Sequence, residues 1–198
     1  MKKVIKTNVL MVAMFTIMLN NANANNFIPL KKEFKETTLT LNNVKKGHRL
    51  LIKDMNGLVL YKEFIQDSGS YYKGFDLTSL PSGDYYFELD KDVEIKIIPF
   101  NVTFNDVVFD KKNETSIFKP TVRVKNNKVF ISKLSLDLKP FEIKVYQENP
   151  GKDYLLYSET IENTKVIERL YTLPESQKVS YKIIFKTEGR EFVEHINI

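Results

Sequence analysis

LLIKDMNGLVLYKEFIQDSGSYYKGFDLTSLPSGDYYFEL, residues Leu50 to Leu89, is the stretch whose reading decides the fold. Leu50 and Ile52 belong to a first strand. Asp54-Met55-Asn56-Gly57 then supplies a hairpin turn, because Asn and Gly tolerate the positive φ that such a turn requires. Val59 and Tyr61 lie on the returning strand. After a connection, Leu77 to Gly83 (LTSLPSG) turns the chain at a Leu-Pro corner. Tyr85, Phe87 and Leu89 then alternate with Asp84, Tyr86 and Glu88, the period of two expected of a half-buried strand.

A fainter copy of this program stands near the C-terminus. IKVYQENPGKDYLLYSE (Ile143 to Glu159) matches LIKDMNGLVLYKE (Leu51 to Glu63), and LYTLPESQKVSYKIIF (Leu170 to Phe185) matches DLTSLPSGDYYFEL. The second copy replaces Asn56-Gly57 with the longer Glu148-Asn149-Pro150-Gly151 and Ser82-Gly83 with Glu175-Ser176-Gln177-Lys178, while Val179, Tyr181, Ile183 and Phe185 keep the alternation. Two copies of one strand program predict two sandwiches in series, since each antiparallel sheet needs an opposing layer to cover its apolar face.

The chain begins with the marks of a cleavable leader. Lys2, Lys3 and Lys6 precede an apolar run from Val9 to Leu19, and Ala22-Asn23-Ala24 offers the small residues that a signal peptidase accepts. The run is shorter than the roughly 20 residues needed to cross a bilayer, so no stable membrane span is expected after cleavage. Loss of residues 1–24 leaves 174 of 198 residues and lowers the formal charge from +5 to +2, because three lysines leave with it. The remaining charges are interspersed, with no Lys/Arg cluster among exposed aromatics to track phosphates, so a nucleic-acid partner is not expected. With no cysteine in the chain, stability must come from cores rather than disulfides.

Between the leader and Glu36 lies a polar tether, readable as an edge strand or a mobile segment. Thr37 to Leu41, His48 to Lys53, Leu58 to Phe64, Tyr71 to Phe75, Asp84 to Leu89 and Val93 to Ile98 are the strand candidates of the first domain, set at residues 25–99. Residues 100–116 form the connecting segment, too apolar at Val102, Phe104, Val107, Val108 and Phe109 for a bare linker. The second domain, 117–198, opens with Thr121 to Val124, a turn at Asn126-Asn127, Val129 to Ser132, the alternating Leu134, Leu136 and Leu138, and a strand at Phe141, Ile143 and Val145. Phe192 to Ile198 closes the chain. The expected fold is thus all-β, two tandem antiparallel sandwiches after a signal peptide.

Asp54, Gly57, Val59 to Tyr61 and Asp76 to Leu89 form a pattern, D-x-x-G, V-L-Y, D-L-T-S-L-P-S-G-D-Y-Y-F-E-L, that resembles the immunoglobulin-like β-sandwiches of secreted Bacteroidetes proteins. That group includes small exported proteins of unknown function and the C-terminal sorting domains of type IX secretion cargo. The resemblance covers about half of the first domain and is weaker in the second. It implies turn and corner geometry more than activity. The best copy stands in the first domain rather than at the chain's end, so the resemblance implies a periplasmic location as readily as the cell surface.

No residue is assigned a catalytic, cofactor-binding or metal-ligating role, and no cofactor is expected. His48 and His195 fall in different halves and read as surface histidines on strand edges; two histidines without cysteine are a thin basis for zinc. In Asp54-Met55-Asn56-Gly57 the glycine stands fourth rather than sixth, unlike an EF-hand loop, and the hairpin reading is preferred. Asp90-Lys91-Asp92 reads as a polar turn between strands. Asp67-Ser68-Gly69-Ser70 has neither a nearby histidine nor the strand-turn-helix setting of a nucleophile elbow. Asn101-Val102-Thr103 and Asn113-Glu114-Thr115 match the glycosylation sequon.

Tyr71, Tyr72, Tyr85 and Tyr86 are the aromatic candidates for stacking on a sugar, although alternation buries one member of each pair. The expected function is a non-catalytic exported structural or protein-interaction module of the cell envelope, pairing with a protein partner through an exposed edge strand. The alternative is a carbohydrate-binding or accessory module of a glycan-handling system with the tyrosines as contacts.

Overall fold

The computed structural model describes residues 36–104, 106–174 and 179–197. The expected leader at 1–24, nearly all of the tether and the Glu175–Lys178 part of the second corner lie outside them. The first half runs β1 (Thr37–Val44), β2 (Arg49–Asp54), β3 (Val59–Phe64), β4 (Gly69–Phe75), β5 (Gly83–Asp90), β6 (Glu94–Thr103), β7 (Asp106–Phe109) and β8 (Thr115–Phe118). The second runs β9 (Thr121–Lys125), β10 (Lys128–Leu134), β11 (Phe141–Gln147), β12 (Tyr154–Ile161), β13 (Val166–Thr172), β14 (Ser180–Thr187) and β15 (Arg190–Asn197).

In the first half a β1-β4 pair faces a sheet ordered β3-β2-β5-β6-β7, with β8 added along β6. Side chains alternate across each strand, so Leu39 and Leu41 of β1, Leu50 and Ile52 of β2, Tyr85, Phe87 and Leu89 of β5, and Ile98, Phe100 and Val102 of β6 all enter one buried cluster. Phe87 lies at its centre, with ring contacts to Phe75, Phe100 and Phe109 at 5.1 to 6.2 Å between centroids. In the second half β13-β10-β9 faces β12-β11-β14-β15. A second cluster forms from Val129, Ile131, Phe141, Ile143, Val145, Ile161, Ile167, Tyr181, Ile183 and Phe185. All strand pairs are antiparallel. Three strands facing four, joined through crossovers between the sheets, is the arrangement of an immunoglobulin-like sandwich, and the first half makes the same crossings with two strands, β1 and β4, in place of β10 and β13 and the larger sheet extended by β7 and β8. The chain is therefore all-β, two such sandwiches in tandem.

Turn chemistry sets the registers. Asn126 and Asn127, at φ 50° and 56°, join β9 to β10 in the two-residue loop whose twist suits a hairpin. Glu188 and Gly189, at φ 51° and 68°, do the same between β14 and β15. At the β2-β3 turn only Gly57, φ 84°, takes positive φ; Asn56 does not. There the Asp54 carboxylate accepts from the Asn56 and Leu58 amides at 2.9 and 2.8 Å.

Two points of the sequence reading need correction. Leu136 and Leu138 do not continue a strand: the ladder ends where the Ser135 amide donates to Lys165 O at 2.8 Å, and the chain then turns, the Leu138 amide donating to Ser135 O at 3.3 Å with Leu138 at φ 60°. Val166–Thr172, which the sequence reading did not single out as a strand, is β13. The apolar residues expected of the connecting segment 100–116 are found against the first sandwich: Phe100 and Val102 are buried in the first cluster, and Val107 and Phe109 pack against it.

The Leu-Pro corner holds a bond found in both halves. The Tyr85 hydroxyl donates to Pro81 O at 2.9 Å, and the Tyr181 hydroxyl donates to Pro174 O at 3.2 Å. Each buried tyrosine thus ties the start of its strand to the crossing that precedes it, the tyrosine corner of such sandwiches. Tyr85→Phe and Tyr181→Phe keep the ring and remove only this bond. Each is expected to lower stability by about 1 kcal/mol, read as a lower urea midpoint at unchanged slope; an unchanged midpoint would contradict the assignment.

Candidate functional site

Polar side chains gather at three places that the strand pattern creates. The first is the open side of each sandwich, where an outer strand of one sheet passes an outer strand of the other. Glu63 on β3 accepts hydrogen bonds from Tyr61, Lys73 and Tyr71, the last at 3.4 Å. Burial alone would raise the Glu63 carboxyl, but the bonds from Lys73 and Tyr61 outweigh it and leave it below the usual range. Glu159 on β12 repeats the device: Arg169 Nε donates at 3.0 Å and the Tyr171 hydroxyl donates as well. Burial, followed by the bond to Glu159, pushes the Tyr171 phenol up. These clasps close the sandwiches laterally. The Tyr-x-Glu that recurs at Tyr61/Glu63 and Tyr157/Glu159 marks the accepting carboxylate in both, although in the second the bonding tyrosine is Tyr171 of β13.

The second place lies on the outer face of the first large sheet. Leu51, Glu88 and Ile95 point away from the first core by strand parity, yet are 2 to 4% exposed. The second half reaches this face through Arg190. Arg190, beside the β14-β15 turn, donates to Glu88 at 2.7 and 3.3 Å, and Lys53 donates to the same carboxylate at 2.9 Å. Burial acts to raise Glu88, and the bonds from Arg190 and Lys53 overcome it, holding the carboxyl below its ordinary value. At the end of the second sandwich nearest the first half, Lys133 takes a core-facing position on β10. Its side chain is fully buried, 3.8 Å from Glu188 Oε1. Burial holds its ammonium below the usual range, while burial and the neighbouring Asp137 raise Glu188.

The third place is the end of the first large sheet around His48. This residue is buried rather than on a surface edge as expected: Nδ1 accepts the Lys45 amide at 3.0 Å, and Nε2 faces Asp92 Oδ1 at 3.5 Å. Arg49 and Lys119 both reach Asp90, at 2.7 and 2.6 Å, and Lys45 reaches Asp92 at 2.7 Å. Asp90 and Asp92 therefore serve separate ion pairs, not one carboxylate couple. His195 pairs with Glu148 at 3.0 Å and shares no partner with His48. Among the described residues no group of three or more His, Cys, Asp or Glu is placed to hold a metal ion.

Of the remaining candidates, Asp54 is occupied by its turn. Ser68 Oγ accepts the Lys46 amide at 3.0 Å, and Ser70 donates to Asn42 at 3.2 Å. The sequon side chains Asn101 and Asn113 donate to Asp84 and Asp110 at 2.7 and 2.6 Å. The four tyrosines form no shared platform. Tyr85 is buried at the corner, Tyr71 packs against the first core, Tyr72 is exposed on the opposite face of β4, and Tyr86 lies half-buried on the Glu88 face. Among the described residues no helix is long and apolar enough to cross a membrane.

No family model matches the chain, and a search of curated proteins finds no match. Among solved structures, the chain is similar to a biofilm associated protein, BSP domain, at TM-score 0.29 and 11% identity, over 83% of this chain and 27% of that one. It is also similar to the chicken interferon gamma receptor alpha chain, at TM-score 0.30 and 8% identity, over 82% and 92%. The fold assignment rests on strand register and the two cores rather than on these likenesses.

Glu88 gives a pH prediction. Its folded-state pKa lies below the unfolded value, so its contribution is complete above about pH 4.5 and is lost as pH falls through the folded value. Glu88→Gln is expected to lower stability at pH 7 by about 1–3 kcal/mol, since Lys53 and Arg190 lose a buried anion, and to flatten the acid limb of a stability-pH curve. An acid limb identical to wild type would contradict the role given to Glu88.

Proposed function

We propose that the protein is a non-catalytic interaction module exported to the bacterial cell envelope, and that it docks on another envelope protein through the outer strand of its second half. The observation that carries this reading is the run Tyr154-Leu155-Leu156-Tyr157 on β12, four consecutive residues that are 42 to 55% exposed. Among the described residues β12 pairs with β11 alone and leaves its other edge to side chains. A bulge opposite Val145/Tyr146 interrupts the register there and leaves Leu156 without a ladder partner. Contiguous apolar side chains on a sheet edge are the kind of surface that a protein partner covers, by strand pairing along the regular part and by apolar contact at the bulge. β3 in the first half has the same features, with Leu58, Val59, Leu60 and Phe64 exposed and a register shift at Ile52/Lys53. Export is supported by the leader pattern at residues 1–24.

Crosslinking in the native envelope followed by recovery of the protein is expected to capture one partner. Leu155→Lys combined with Leu156→Lys should lower that recovery by at least ~10-fold without changing the melting temperature, while Tyr72→Lys leaves it intact. Equal recovery with all three proteins would contradict a docking surface on β12.

A further inference from the structure

The Lys133 side chain has no exposure to solvent. β10 hands Val129, Ile131 and Lys133 to one face, so Lys133 stands where the second core would take an apolar residue. A charge buried there is costly unless close partners compensate it. Lys133 Nζ donates to Leu134 O at 3.3 Å, lies 5.7 Å from the centre of the Phe141 ring, and stands 3.8 Å from Glu188 Oε1, beyond hydrogen-bond reach. An ordinary ion pair closes further: Lys53 reaches Glu88 at 2.9 Å, and Lys119 reaches Asp90 at 2.6 Å. Glu188 is fixed opposite Lys133 by the tight turn in which Thr187 pairs with Arg190. Asp137 is the next carboxyl, hydrogen-bonded to Glu188 and held in place by Ser135 Oγ at 3.2 Å and the Lys139 amide at 3.3 Å.

Enclosure favours the uncharged form of both groups. Burial holds the Lys133 ammonium below its usual range, and burial with the neighbouring Asp137 raises Glu188 against the opposing pull of Lys133 and Arg190. A neutral amine is a nucleophile, and a protonated carboxyl accepts attack once its hydroxyl can leave. We propose that Lys133 and Glu188 condense to an amide that joins β10 to the β14-β15 turn. Nζ attacks Cδ of the carboxyl, a C–N bond forms, the C–OH bond breaks, and the hydroxyl departs with an amine proton as water. Asp137 carries that proton from the nitrogen to the leaving oxygen. Nothing is oxidised or reduced, and no co-reactant is needed. The product removes both buried charges and leaves one N–H to donate to Leu134 O. It ties the two facing sheets of the second sandwich covalently, in a chain that has no cysteine for a disulfide. The link does not depend on the docking surface assigned to β12.

Mass spectrometry of the purified chain, denatured and whole and then after tryptic digestion, is the test. The whole chain is expected to be lighter than its sequence by one water molecule. The digest should contain a branched peptide that joins Lys133 to Glu188 and is uncut after Lys133. Lys133→Met and Glu188→Ala should each restore the full sequence mass, and Lys133→Met keeps an apolar side chain of similar size in the core so that the fold survives. Asp137→Asn retains both reacting groups and should condense at least ~100-fold more slowly when mass is followed from the time of synthesis. A wild-type mass equal to that of the sequence, with Lys133 and Glu188 recovered in separate peptides, would overturn the proposal. So would a loss of water mapped to any other pair of residues, or an Asp137→Asn chain that condenses as fast as wild type.

Discussion

In each half of the molecule the apolar faces of two sheets cover one another, and the hydroxyl of a single tyrosine holds the chain where it crosses between them. The constraint behind this is simple. A strand hands alternate residues to opposite faces, and a chain without cysteine has no disulfide to offset a face left bare. Leu50, Ile52, Phe87 and Leu89 on one side therefore need Leu39, Leu41 and Phe75 on the other, and Phe141, Ile143 and Phe185 need Val129, Ile131 and Ile167. The Pro81-Tyr85 and Pro174-Tyr181 bonds fix the crossings that make this possible.

What remains after the cores are covered is polar and specific. Glu63 and Glu159 tie the outer strands of facing sheets together, so each sandwich is closed at its side by charge-assisted bonds rather than by a backbone ladder. Glu88 plays a different part. It lies on the back of the first large sheet, where a carboxylate would ordinarily face water, and Arg190 of the second half meets it there. Leu51 and Ile95 are buried on the same face, so the first large sheet carries apolar side chains on both sides. That explains why Leu50, Leu51 and Ile52 read as a continuous apolar run rather than as strict alternation.

Much of this was legible in the sequence, and the misses share a cause. Period-two patterns located β5, β11 and β14, because their inner residues are apolar and their outer ones largely polar, while β2 was located by Leu50, Ile52 and the Asn-Gly turn that follows them. β13 escaped notice because two of its inward residues, Arg169 and Tyr171, are polar and satisfied by Glu159, which erases the alternation. Leu136 and Leu138 misled in the opposite sense: their spacing imitates a strand, while Ser135 and the positive φ of Leu138 turn the chain. The corner was visible as Leu-Pro in both copies, but its tyrosine bond was not, since the hydroxyl reaches back four residues in one half and seven in the other. The polar cluster around His48 was beyond sequence reasoning altogether. Its members come from the turn before β2 and the first residue of β2, the end of β5 and the residue after β8, and only pairing in the sheet brings them together.

The central claim is that two separate cores hold this chain. Native-state hydrogen exchange on Phe87→Ala and Phe185→Ala addresses it most directly, because each change empties the middle of one cluster and costs about 3–5 kcal/mol there. The account predicts that Phe87→Ala lowers amide protection in β2, β5 and β6 and leaves β11 and β14 close to wild type, and that Phe185→Ala does the reverse. Equal loss of protection in both halves from either substitution would contradict it.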